Sequence, residues 1–114
     1  MEYRELGNTG LSASVIGMGC EGFTGKSLEE TCQMMDMAIA EGVNFIDMYT
    51  SNPDVRRHIG AALQGQRKDF IIQGHLCTTW ENGQYLRTRD MAKVGPAFDQ
   101  LLEQMQTDYM DIGM

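Results

Sequence analysis

Three side chains in this sequence have the type and placement to move protons: Asp47, Tyr49 and His75. Asp47 closes the apolar run Val43-Asn44-Phe45-Ile46, Tyr49 stands two residues on, and His75 follows Phe70-Ile71-Ile72-Gln73-Gly74. If both runs are strands of a parallel sheet, the three residues collect at strand carboxyl ends, where backbone and dipoles converge. There a phenol can give up a proton while a carboxylate and an imidazole tune or relay it. Each also has a structural role open to it: an Asp anchors a loop, a Tyr packs, a lone His settles in a core. His58, between Arg57 and Ile59 in a helical pattern, suits a solvated helix face.

Other candidates carry less. Gly17-Met18-Gly19-Cys20-Glu21-Gly22 spells the G-x-G-x-x-G letters of a dinucleotide fingerprint, but the helix that should open at the third glycine has its start signal only at Ser27. Cys20, Cys32 and Cys77 form an odd set with no C-x-x-C pair, which reads as reduced thiols rather than a disulfide framework or zinc site. Cys77 would need a base to become a nucleophile, and only His75 is near it in sequence. The ten Met residues sit mostly at helical spacings, as core filler does, and no metal is expected.

The elements that must hold these residues alternate between strand and helix. Tyr3 to Leu6 and Leu11 to Val15, joined by Gly7-Asn8-Thr9-Gly10, read as a hairpin leading into the strand Val15 to Gly19, whose glycines leave backbone open to close approach. Ser27-Leu28-Glu29-Glu30 is a capping box; a helix follows with Leu28, Thr31, Met35, Ala38 and Ile39 on its stripe, and Gly42 stops it. A strand over Val43 to Asp47 leads to a helix capped by Asn52 with Pro53 at its first position, striped by Val55, Ile59, Ala62 and Leu63 and ended by Gly65. After the strand Phe70 to Gln73 comes a long loop from His75 to about Tyr85. A helix from near Thr88 to Met105 then buries Val94, Phe98, Leu101, Leu102 and Met105, with Pro96 set to kink or divide it. Tyr109 to Met114 is a last strand.

Strands, helices and spacings of this kind define right-handed βαβ units and a parallel sheet. A single domain of 114 residues supplies a hairpin, four strands and three helices, less than the roughly 250 residues of a closed eight-stranded barrel. The last residue falls inside a strand, so the pattern reads as the N-terminal half of a (β/α)8 barrel, cut off, rather than a doubly wound sheet. With 9 Lys+Arg against 16 Asp+Glu, net charge −7, the chain has no field for nucleic acid or anionic membranes. No signal peptide or long apolar run is visible, and the cytoplasm is the default location.

With those residues in place, the chain resembles the N-terminal portion of an aldo/keto reductase along its whole length. The resemblance rests on Tyr3-Arg-Glu-Leu-Gly-Asn-Thr-Gly-Leu-Ser12, Ile16-Gly-Met-Gly19, Gly42-Val-Asn-Phe-Ile-Asp47, Ile59-Gly-Ala-Ala-Leu63, Asp69-Phe-Ile-Ile72 and Thr107-Asp-Tyr-Met-Asp-Ile112. It is also similar to a bacterial branch whose longer members can carry C-terminal iron–sulfur modules; no such module is visible here. The resemblance implies a barrel plugged at its base by the hairpin, NAD(P)H bound without a Rossmann motif, and reduction of a small carbonyl substrate. The family works with an Asp, Tyr, Lys and His tetrad. Asp47 matches the Asp; Asn52 stands where the Tyr is expected, with Tyr49 the nearest substitute; His75 follows the strand that should lead to the Lys; the family's His lies past Met114. The resemblance thus implies Tyr49 as proton donor with His75 in place of the Lys, and cofactor contacts from Gly19 and Cys20 by backbone and from Asp47 by side chain.

Two other readings remain at this level. One is a non-catalytic half-barrel whose exposed strand edges pair with a second copy, a homo-oligomer. The other, a flavodoxin-type binder, lacks a phosphate loop with a properly placed helix.

Overall fold

The structure is a computed structural model describing residues 1–114. Three sheets hold the strands. β1 (Tyr3–Glu5) and β2 (Ser12–Ser14) form the N-terminal hairpin, with Tyr3 opposite Ser14. β3 (Met18–Gly19), β4 (Phe45–Met48), β5 (Ile71–Gly74) and β8 (Ile112–Gly113) form a parallel sheet in the order β3-β4-β5-β8. β6 (Thr78–Glu81) and β7 (Gln84–Arg87) form a second hairpin. Between them run α1 (Leu28–Ala40), α2 (Pro53–Ala62) and α3 (Met91–Met105).

The helix boundaries follow the capping chemistry of the sequence. Ser27 Oγ accepts from the Glu30 amide at 3.1 Å while the Ser27 amide donates to the Glu30 carboxylate at 2.8 Å; such a cap contributes about 1 kcal/mol. Asn52 Oδ1 accepts from the amides of Asp54 and Val55 at 2.9 and 3.4 Å, and Pro53 follows where its missing N–H costs nothing. α3 opens on Asp90, whose carboxylate takes the Ala92 amide at 3.0 Å.

Several expectations need correction. The stretch from His75 to Tyr85 is not a plain loop: Asn82 and Gly83 have φ of 53° and 75° and close a tight hairpin, the conformation that two-residue type I′ turns require. α3 starts at Met91 rather than near Thr88, and it continues through Pro96 as one helix. The ring removes the donor for the Ala92 carbonyl, but Ala92 is exposed, and Gly95 carries no Cβ to meet the proline ring. Finally, the first sheet strand is only Met18–Gly19; Val15 and Ile16 are exposed and lie outside it.

The core sits between the sheet and the helices. Ile46, Met48 and Ile72 from the strands pack with Met35 of α1, Val55 and Ile59 of α2, and Leu101 and Met105 of α3. A Cβ on Gly60 would collide with the Met105 carbonyl, so this glycine lets α2 and α3 approach to backbone contact. Leu28, expected on the buried stripe, is exposed. Because strand side chains alternate, Phe45, Asp47, Ile71 and Gln73 fall on the opposite face from Ile46, Met48 and Ile72. The N-terminal hairpin is tied to the amino ends of the strands through Asn44. Its side chain accepts from the Ser14 amide at 2.7 Å and donates to the Ser12 carbonyl at 2.9 Å, while its own amide donates to Ser14 Oγ at 3.1 Å. The Asn44 carbonyl in turn accepts from the Ile71 amide at 2.8 Å. No helix is long and apolar enough to cross a membrane.

Two arginines missing from the sequence reading are structural. Arg56, 3% exposed, donates to the Thr50 carbonyl and to Gln104 Oε1 of α3 at 3.0 and 3.2 Å. No carboxylate faces it, and burial pulls its guanidinium down to about 10. Arg67 meets Asp111 at 2.9 Å with both side chains largely buried, and lies 4.0 Å over the Tyr109 ring. It also donates to Thr107 Oγ1 and to the carbonyls of Phe70 and Tyr109, while Asp111 accepts the Ile72 amide. One ion pair thus ties α2's exit, β5 and the approach to β8.

Candidate active site

The register of the parallel sheet builds the site. Asp47 on β4 is paired with Gln73 on β5, and Gly19 on β3 with Asp47. Tyr49 lies two residues beyond Asp47 and His75 two beyond Gln73, so the two-residue period brings all four side chains to one face at the carboxyl ends. There Asp47 Oδ1 meets His75 Nε2 at 2.9 Å and accepts from Gln73 Nε2 at 3.1 Å. The Tyr49 ring stands edge-on to the His75 ring, centroids 4.9 Å apart at 79°. Tyr85 of β7 stacks on Tyr49, at 5.1 Å and 25°.

The three residues singled out from the sequence for proton chemistry therefore meet in one cluster. The carboxylate fixes the imidazole's direction, and the imidazole forms a wall for the phenol. Asn52, where the family pattern expects its Tyr, is occupied as the α2 cap. Sequence reading missed Gln73, which only the register places beside Asp47, and Tyr85, whose position depends on the second hairpin. Its phenol is pushed up to about 12, by burial first and by neighbouring Tyr49 next, so it stays protonated at neutral pH.

Gly19 and Asp47 line a groove of about 510 Å³ with Gly17, Met18 and Phe45. Cys20, next in sequence to Gly19, is fully buried and does not line the groove. Burial, and after it the charge of Asp47, pushes the Cys20 thiol from 9.0 up to about 12. Between those values the unfolded chain gives up a proton that the folded chain keeps, so stability falls as pH rises across that window. Urea unfolding in an alkaline pH series is expected to show this loss in the wild type and a shallower one in Cys20→Ala. Cys77 is exposed and Cys32 half-buried.

The parallel strands and their helices are those of part of a β/α barrel, a fold whose sites gather at the rim where this polar cluster lies. Known proteins share that architecture. No family model matches the chain. A curated oxidoreductase of Bacillus subtilis, YqkF, whose function is uncharacterised, is 28% identical over 116 residues, covering 98% of this chain and 38% of its own. The L-galactose dehydrogenase of Arabidopsis thaliana is 30% identical over 123 residues, 98% of this chain and 37% of its own. Among solved structures, the aldo-keto reductase AKR11C1 from Bacillus halodurans, in its holo form, superposes with a TM-score of 0.88 at 27% identity, over 99% of this chain and 39% of that one. In sequence and fold this chain is similar to part of these oxidoreductases and aldo-keto reductases, and it spans about two fifths of the length of the relatives it matches.

Proposed function

We propose that this chain carries the acid–base corner of an NAD(P)H-dependent reductase of small carbonyl compounds. The observation that carries the reading is the 2.9 Å contact of Asp47 with His75, with Tyr49 edge-on to that imidazole at the strand carboxyl ends. Carbonyl reduction adds a hydride to carbon and a proton to oxygen; a reduced nicotinamide, when bound, supplies the hydride. Tyr49 gives the proton from its hydroxyl. His75, held by Asp47, stabilises the phenolate left behind when it is protonated, the task the family gives to Lys. Gln73 keeps Asp47 turned toward His75.

The residues of the groove beside Asp47 suit the nicotinamide end of such a cofactor. Met18 and Phe45 offer apolar walls, Asp47 a polar end, and a Cβ on Gly19 would meet nothing within 4 Å, so this edge is open. Its one basic residue, Arg4, is engaged with Glu2 at 3.0 Å, so this groove gives no grip on the cofactor's phosphates. An aldo-keto reductase from Klebsiella pneumoniae with a related fold, TM-score 0.67, was solved in complex with NADPH.

The test is a titration with NADPH and NADH, read by energy transfer from Trp80 to the reduced nicotinamide, followed by an assay with small aldehydes. Saturable binding and aldehyde-dependent oxidation of the cofactor are expected. No binding at millimolar cofactor overturns the reading for this chain.

A further inference from the structure

The chain has nine cationic side chains, and the structure engages most of them. Arg4, Lys26, Arg57, Arg67 and Lys93 each face a carboxylate, and Arg56 is buried on Thr50 and Gln104. Of the remaining three, Lys68 lies near Arg67, away from the site, whereas Arg87 and Arg89 line the same cavity as Tyr49, His75 and Tyr85. Neither of these two arginines donates a side-chain hydrogen bond or meets a carboxylate within 4.0 Å. In a chain of net charge −7 that concentration of unneutralised guanidinium beside the proton-transfer cluster is uneven. β7 explains it: strand alternation puts Arg87 on the face that carries Tyr85, and Arg89 continues the spacing.

The cavity, about 650 Å³, has an aromatic and imidazole floor and a basic rim. Of the negative groups nearby, Asp47 is bonded to His75, Glu21 is close enough to act on Tyr85, Glu81 of the hairpin is paired with Lys93 at 3.1 Å, and Asp90 accepts the Ala92 amide as the α3 cap. We propose that the second hairpin is the substrate-selecting element of this site: Arg87 and Arg89 bind a carboxylate or phosphate on the substrate, whose carbonyl then lies against Tyr49. Arginine suits this because its planar fork meets such groups with two parallel hydrogen bonds. The inference rests on the reductase reading for the carbonyl end, while the anion grip itself can be measured without turnover.

The probes are 4-oxobutanoate, an aldehyde with a carboxylate, against uncharged butanal, with NADPH alone as a third arm. Binding is followed by Trp80 fluorescence, since Trp80 pairs across the hairpin with Tyr85, and by the ring resonances of Tyr49 and His75. The wild type is expected to bind 4-oxobutanoate about ten- to a hundredfold more tightly than butanal. The double variant Arg87→Gln/Arg89→Gln should lose that preference, keep its NADPH affinity and, since both side chains are exposed and unengaged, keep its circular dichroism. Equal binding of the two aldehydes by the wild type overturns the proposal. So does a double variant that retains the preference, or one that loses NADPH affinity instead, which would assign the arginines to the cofactor's phosphates. Failure of the reductase reading is separate: it shows as absent turnover with the anion preference intact.

Discussion

Replacing Tyr49 by Phe is expected to lower kcat/KM for carbonyl reduction by about 10²- to 10⁴-fold, the usual weight of a positioned proton donor. The substitution removes one hydroxyl and leaves both ring contacts, edge-on to His75 and stacked on Tyr85, so fold and binding should barely change. The loss should fall on kcat rather than KM, because the proton moves only in the transition state. Tyr85→Phe is the control. Its phenol, pushed up to about 12, is a poorer acid than that of an ordinary tyrosine, and its removal should cost far less. If Tyr85→Phe proves the more damaging, the roles assigned to the stacked pair are reversed. If neither variant changes the rate, the cluster is not a proton-transfer site.

The second large effect is on stability. Asp111→Ala should destabilise the fold by about 3–5 kcal/mol, because it leaves a largely buried guanidinium without its counter-charge. Arg67 and Asp111 side chains are 15% and 14% exposed, so water replaces little of what is lost. The Ile72 amide, which donates to the same carboxylate oxygen at 2.9 Å, is left unpaired as well. Asp111→Asn keeps an acceptor for that amide and should lose less. Urea unfolding midpoints measure all of this; a loss under about 1 kcal/mol for Asp111→Ala would mean that the pair behaves as an exposed one.

What the sequence disclosed was local chemistry. Ser27 with Glu30 and Asn52 with Pro53 placed two helix starts to the residue, because a cap is decided by neighbours three positions apart. The strands around Ile46 and Ile72 announced themselves by their apolar residues, and the meeting of Asp47, Tyr49 and His75 was expected from their places after the carboxyl ends of neighbouring parallel strands. The second hairpin was equally local and was overlooked: Asn82-Gly83 between Thr-Thr-Trp-Glu and Gln-Tyr-Leu-Arg is a strong two-residue turn signal. With it went Tyr85, Arg87 and Arg89. Other features depend on distant partners that no local pattern names. Gln73 reaches Asp47 only through strand register, and Arg56 is buried only because α3 presents Gln104. Pro96 misled for a different reason, since its cost as a helix breaker depends on whether the orphaned carbonyl meets solvent and whether the preceding residue has a Cβ.

Asn44 gives the base of the molecule a further property. Its side chain and both its backbone groups span β2, its own approach to β4, and β5. The terminal ribbon therefore cannot peel away independently, as short chain ends usually do. Detaching it breaks the bonds that hold the loop entering β4 in place, so loosening there and loosening of the sheet become a single cooperative event.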